Sequence, residues 1–209
     1  MASYSSHRKP TRSHRSLHHR TRGQALVEFA LIFPIFITMV MWIIEFSFVF
    51  NALLSIGHAT RDAALMGAEA GNSTAADCVI LQQIENDVTA TAVAARITRV
   101  DIYETDSNGT QVSGLTTYTR TGTTTCPLPG GGTMSVPYKQ ISDGYPDSIR
   151  CNVLAGCPGN TPASPTVDTI AVKITYQHTW VTPLANLVSL GGTGTTLVQS
   201  NAMRMEPVL

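Results

Sequence analysis

The chain has 209 residues with 14 basic and 14 acidic side chains, so its formal net charge is zero. Charged residues make up only 13% of it, which suits a secreted β-rich domain better than a cytosolic enzyme. The neutral total hides an asymmetry: residues 1–23 hold six basic side chains and no acid, whereas the rest of the chain carries a formal charge of −6. A basic tail directly before a hydrophobic run is typical of a membrane topology signal, which argues against a nucleic-acid partner.

The first 22 residues show no hydrophobic periodicity and are expected to form a disordered cytoplasmic tail, since Lys and Arg beside a span are retained inside. Their histidines lie among arginines, without carboxylate or thiol partners, which favours a solvated basic tail over a metal site. These are His7, His14, His18 and His19.

An apolar run, residues 23–50, follows the tail and contains two charges, Glu28 and Glu45. Its hydrophobic length of about 21 residues gives a helix of about 32 Å, enough to cross a bilayer. The run is too long for the apolar region of a cleaved secretory signal, and no small-x-small site lies just beyond it. Pro34 removes one backbone donor and should kink or loosen the helix. We therefore predict a membrane anchor that stays with the protein.

The start of the run carries a second pattern. Gly23 closes the basic segment, and Glu28 is the fifth residue after it in Gly23-Gln-Ala-Leu-Val-Glu28. This spacing resembles the prepilin-peptidase recognition pattern of type IV pilins. The resemblance implies a cut after Gly23 on the cytoplasmic side, so that the mature chain begins at Gln24 and keeps the apolar helix.

Glu28 needs compensation, because a charge at the centre of a span costs roughly 2.5–3.5 kcal/mol on insertion scales. The cut would create an amine at Gln24, and this amine would neutralise the carboxylate on the same or a neighbouring subunit. By the pilin resemblance, this charge pair sets the register of helices that pack into a filament. The alternative is that Glu28 lies at the headgroup boundary without such a role. For Glu45 we expect a position at the outer interface, with pairing in a helix bundle as the alternative.

The helix is expected to continue beyond the membrane as an alanine-rich stalk, Asn51 to Ala70, which Gly71-Asn72 ends. The sequence Thr74-Ala-Ala-Asp77 then has the pattern of a capping box. Apolar residues at helical spacing after it predict a second helix that reaches about Arg96.

Strands are predicted after the second helix. Residues 100–104 alternate between apolar and polar side chains, and Asn108-Gly109 is a tight-turn signal towards a partner strand around residues 111–120. The clearest alternation runs over residues 168–180, and a last strand is predicted over residues 195–205. Residues 121–166 hold most of the prolines and many glycines, which predicts surface loop.

The predicted fold class is α+β, with a long N-terminal transmembrane and stalk helix, a second helix and a small antiparallel β-sheet domain. The predicted parts are a basic cytoplasmic leader (1–23), the transmembrane and stalk helix (24–71) and an extracytoplasmic domain (72–209). That domain is long enough to bury a core of its own.

All four cysteines follow the span, and an even number there fits disulfides in an oxidising compartment. They are Cys78, Cys126, Cys151 and Cys157. Four cysteines allow three pairings, and the sequence does not choose between them; we favour Cys151 with Cys157 and Cys78 with Cys126. The Cys-x5-Cys spacing does not match a zinc knuckle, which argues against a metal site.

Two separated stretches resemble the TadE-like proteins, minor pilins or pseudopilins of bacterial tight-adherence (Flp) pilus systems. The first runs from Gly23 to Pro34, with Ile44-Glu45-Phe46 further on, and the second is Ala202-Met-Arg-Met-Glu-Pro207 after a Val-Lys-Ile-Thr-Tyr strand. The resemblance implies processing by a prepilin peptidase, residence in the inner membrane before assembly, and a part in priming or tipping an adhesive pilus. Because the major pilin of such systems is very short, this longer chain is expected to be a minor component.

The predicted function is that of an assembly protein and not of an enzyme, since the sequence shows no Ser–His–acid motif, paired metal ligands or phosphate loop. No cofactor, metal, nucleic acid or small-molecule substrate is expected. The expected partners are the bacterial inner membrane, a prepilin peptidase, other pilus subunits and the pilus assembly platform. The alternative is an uncleaved single-pass membrane protein that presents an extracytoplasmic binding or adhesin domain.

Overall fold

The computed structural model describes residues 20–89, 94–112, 114–128, 131–152, 167–182 and 194–205. The predictions made for residues 1–19 and for Cys157 lie outside these ranges. The chain divides into two compact units, an N-terminal unit of residues 1–43 and a C-terminal unit of residues 44–209.

Helix α1, Arg20–Ala70, is 51 residues long and continues through Pro34. The Thr38 hydroxyl donates a 2.7 Å hydrogen bond to the Pro34 carbonyl, one turn earlier. From Gly23 to Ala70 this helix is long and apolar enough to cross a membrane, and no residue of its most hydrophobic window is buried. The predicted long apolar helix is therefore confirmed, and its uncovered side chains fit membrane anchoring.

The second half of α1 forms one wall of the core of the C-terminal unit. Its buried positions recur every three or four residues, which places them on one face of the helix. They are Ala52, Ile56, Ala59, Ala63, Ala64 and Ala68. Gly67 lies on the same face, where an added Cβ would stand 2.8 Å from Ile80 Cδ1 and 3.0 Å from Ile170 Cδ1. Small residues thus let α1 lie close against its neighbours, so the stretch predicted to be a stalk is part of the core.

Five antiparallel strands form the main sheet in the order β5-β2-β1-β6-β7. Their bounds are β1 Ile97–Thr105, β2 Thr116–Thr119, β5 Lys139–Asp143, β6 Thr169–Thr179 and β7 Gly194–Arg204. Two further strands, β3 Thr124–Pro127 and β4 Thr133–Val136, pair as a separate hairpin. Two short 3₁₀ turns lie at Ala94–Arg96 and Asp147–Ile149.

Helix α2, Ala76–Thr89, supplies the apolar side chains Ile80, Leu81, Ile84 and Val88 to the core, which confirms a second helix. It ends at Thr89, whereas the sequence predicted an end near Arg96; a separate 3₁₀ turn occupies residues 94–96, and residues 90–93 are outside the described ranges. The predicted capping box does not account for Asp77, whose carboxylate binds residues distant in sequence. Near the start of α2, the carboxylate of Asp147 instead accepts a 3.3 Å hydrogen bond from the Ala75 amide.

The predicted strands over residues 168–180 and 195–205 and the predicted turn at Asn108-Gly109 are confirmed. Strands β6 and β7 pair along their whole length, from Thr169 with Arg204 to Thr179 with Gly194. The turn after β1 is built around Asp106, whose Oδ1 accepts the amides of Asn108 and Thr110, with Gly109 at a φ of 81°. The short strands β3, β4 and β5 were missed, because four or five residues in a Gly- and Pro-rich region show too little alternation to be recognised.

A buried ionic cluster fixes the start of α2 against the sheet. The Arg150 guanidinium, fully buried, donates from Nη2 to Asp77 Oδ1 at 2.5 Å and to the Tyr145 carbonyl at 3.0 Å. The Tyr118 hydroxyl donates to Asp77 Oδ2 at 2.8 Å. Burial raises the pKa of Asp77 despite the lowering effect of Arg150, and burial together with the Asp77 carboxylate raises the pKa of Tyr118. Because a buried charge is costly without its partner, the three groups hold one another in place.

A disulfide joins Cys78 on α2 to Cys126 on β3, with their Cα atoms 6.3 Å apart and a separation of 48 positions in sequence. It attaches the β3–β4 hairpin to the helix. The second favoured pair, Cys151 with Cys157, is not described, because Cys157 lies outside the described ranges.

We expect the double variant Cys78→Ala/Cys126→Ala to lower the free energy of unfolding by about 4 kcal/mol, the chain-entropy value for a loop of this length. Equilibrium unfolding of the detergent-solubilised full chain measures the change, with circular dichroism to check that the native fold persists. A loss below about 1 kcal/mol would contradict a constraining role for this disulfide.

Candidate processing and assembly segment

The residues of the predicted cleavage site lie in the N-terminal unit, in the exposed first turns of α1. Gly23 and Gln24 are both helical and exposed. A Cβ built on Gly23 would meet nothing within 4 Å, so packing in this structure does not require a glycine there. Among the described residues, packing therefore gives no steric reason for a glycine at this position.

Gln24 and Glu28 are brought together by the helix. They lie four residues apart on one face, and Gln24 Nε2 donates a 3.1 Å hydrogen bond to Glu28 Oε1. The Glu28 side chain is otherwise exposed among apolar neighbours, with Phe29 and Phe33 in ring contact at 5.3 Å. The structure thus leaves the Glu28 carboxylate exposed on the surface of α1 in the N-terminal unit.

Glu45 lies in the C-terminal unit and is only 3% exposed. The Val181 amide donates to its Oε1 at 3.0 Å and the Thr182 amide to its Oε2 at 2.8 Å. His178 Nε2 lies 3.4 Å from Oε1. Glu45 was expected at the outer interface, and its depth in a membrane stays a prediction; its carboxylate is buried because the chain leaving β6 offers it two backbone donors.

A sequence signal for this role of Glu45 was present. Glu45 precedes Ala52 by seven residues, or two helical turns, so it continues the buried face of Ala52, Ile56 and Ala59. The helical period therefore placed Glu45 on the core side of α1. The partners themselves could not be read from the sequence, because they are more than 130 residues away.

The described residues were also compared with the ligand sets that bind metal ions. Within those ranges, no group of three or more His, Cys, Asp or Glu side chains is placed to hold a metal ion. Of the three described cysteines, Cys78, Cys126 and Cys151, the first two are joined to each other.

The family model described as TadE-like protein matches residues 23–65 of the 209. No curated protein and no solved structure matches the chain. The matched segment begins at Gly23 and includes Glu28, Pro34 and Glu45, and it ends within the half of α1 that packs in the core. Residues 23–65 thus match the TadE-like family, which confirms the N-terminal part of the resemblance; the second stretch, residues 202–207, lies outside the match.

Proposed function

We propose that this chain is a TadE-like minor pilin, or pseudopilin, that takes part in the assembly of a tight-adherence (Flp) pilus. The observation that carries the proposal is the TadE-like match over residues 23–65, whose first part falls on an uncovered apolar helix segment long enough to span a membrane. Its role is structural: the helix anchors the protein and then packs with the helices of other subunits.

In this proposal the protein spans the bacterial inner membrane once. The basic leader stays in the cytoplasm, as positively charged flanks of a span do, and the C-terminal domain lies on the other side. The disulfide between Cys78 and Cys126 supports that placement, because such bonds persist in oxidising compartments and are rare in the cytosol.

Processing by a prepilin peptidase is the second part of the proposal. The cut falls between Gly23 and Gln24, at the exposed beginning of α1. It creates a positively charged amine one helical turn before Glu28, where the Gln24 side chain already reaches the carboxylate. In a medium of low dielectric, this amine compensates Glu28 of its own or a neighbouring subunit far more strongly than it would in water.

The remaining partners follow from the same role. Other pilus subunits supply the neighbouring helices, and the pilus assembly platform extracts the helix from the membrane. An uncleaved anchor that only presents the domain for binding or adhesion is the competing function, and the two differ in the fate of the leader.

Cleavage is tested on the substitution Gly23→Ala, which the structure accommodates without a clash. We expect mass spectrometry of the native protein to give a mature N-terminus at Gln24, and the variant to keep its leader. Gly57→Ala is the matched control, since Gly57 is also a helical glycine of α1 with nothing within 4 Å of an added Cβ, and it should be cut normally. An intact leader on the native protein, in cells with an active prepilin peptidase, would sink the pilin proposal in favour of the uncleaved anchor.

Assembly is tested on Glu28→Gln, which keeps the size of the side chain and removes its charge. We expect normal membrane insertion but at least a tenfold loss of pili, or of co-purified pilus subunits. A loss of about 1.4 kcal/mol of binding free energy at each contact between subunits lowers the association constant tenfold. Glu69→Gln, at an exposed acid near the other end of α1, serves as the control and should assemble normally. Pilus yield equal to that of the native protein would show that the charge of Glu28 has no role in assembly.

A further inference from the structure

We propose that the segment directly after strand β6, Trp180–Thr182, is a membrane-contact surface that rests on the headgroup layer of the bilayer beside helix α1. The inference rests on the proposed membrane anchoring and adds to it a contact between the domain and lipid. Four observations within the C-terminal unit carry it.

The first observation is the attachment of β6 to the helix. Glu45 accepts the amides of Val181 and Thr182 at 3.0 and 2.8 Å, so this end of the sheet is held at the level of Glu45 on α1. His178, two residues before Trp180, contacts the same carboxylate and packs edge-on against the Trp180 ring, with centroids 5.9 Å apart. The position of the membrane-contact surface relative to this part of the helix is therefore fixed by several contacts.

The second observation is that α1 remains apolar and uncovered at this level. Phe46 is 68% exposed and stacks on Phe50 at 6.2 Å, and Ile44 and Phe48 are exposed as well. The apolar run thus extends past Glu45 by about 8 Å, at 1.5 Å per residue. A bilayer that covers Phe46 and Phe50 must also meet the chain bonded to Glu45.

The third observation is the distribution of charge. Residues 46–60 and residues 174–203 contain no Asp, Glu, Lys or Arg. These two uncharged stretches meet where Glu45 binds Val181 and Thr182. The other end of β6, about 33 Å away at 3.3 Å per residue, carries charged groups. They are Glu104, Asp106, Asp168 and Arg204, of which Arg204 pairs with Thr169 in the sheet.

The fourth observation is the kind of side chain at the surface. Val181 is 55% exposed although it is apolar, and Trp180 is half-buried beside it. Tryptophan is enriched where a membrane protein meets the headgroups, and the indole nitrogen of Trp180 is turned into the protein, away from solvent. A lipid surface fits this combination, since the bilayer is continuous with the span that ends in the same segment of α1.

Tryptophan fluorescence tests the contact, because the chain has two tryptophans, Trp42 and Trp180. The full-length variant Trp42→Phe, at one copy per phosphatidylcholine nanodisc, reports on Trp180 alone. We expect its emission to fall when the lipids carry bromine on the acyl chains near the headgroup. The full-length variant Trp180→Phe reports on Trp42 in the span and should be quenched as well.

A pair of charge substitutions in the Trp42→Phe background locates the surface. Val181→Glu places a charge on it, so we expect less quenching of Trp180. Val112→Glu is the matched control, because Val112 is 57% exposed and follows Gln111, which bridges Thr105 at the charged end of the sheet. This control should leave the quenching unchanged.

The outcomes separate the inference from the proposed function. Quenching of Trp42 without quenching of Trp180 would overturn the lipid contact and leave the anchor intact. Absence of quenching at both tryptophans would overturn the anchoring itself. Equal effects of Val181→Glu and Val112→Glu on the quenching would also overturn the inference. So would a Trp180 emission that depends on the number of copies per disc and not on bromine, because that result would assign the surface to a second copy of the chain.

Discussion

The carboxylate of Glu45 is the contact on which the arrangement of the C-terminal unit depends. It binds two consecutive amides, those of Val181 and Thr182, where the chain leaves β6 and the ladder ends. Hydrogen bonds to a charged group contribute about 1.5–3 kcal/mol each, and unpaired amides at a buried position would cost a similar amount. With Asn201 on β7 donating to Thr60 Oγ1 at 2.7 Å, Glu45 sets the register of α1 against the edge of the sheet.

One helix meets two environments, and its composition changes accordingly. Around Phe29 and Phe46 it exposes large apolar side chains, as a lipid-facing surface does. From Ala52 onwards it presents alanines and Gly67 to the core, where small side chains permit close approach.

Much of the fold could be predicted from local pattern, and the rest depends on contacts distant in sequence. The apolar helix, the turn at Asn108-Gly109 and the strands β6 and β7 follow from periodicity and turn chemistry. The roles of Glu45 and Asp77 did not, because local rules assigned Glu45 to the interface and Asp77 to a cap. Their partners lie far along the chain, and only tertiary packing brings them together. For the candidate site, the Gly23–Glu28 spacing carried the family resemblance, whereas its processing remains a prediction.

Glu45 locks helix α1 to the sheet, and hydrogen exchange at the Val181 and Thr182 amides, measured in the full-length protein and in Glu45→Ala, is the sharpest test. We expect slow exchange at both amides in the native protein and fast exchange in the variant, while amides in the middle of β6 stay protected in both. Fast exchange at Val181 and Thr182 in the native protein, or protection that survives the loss of the carboxylate, would contradict it.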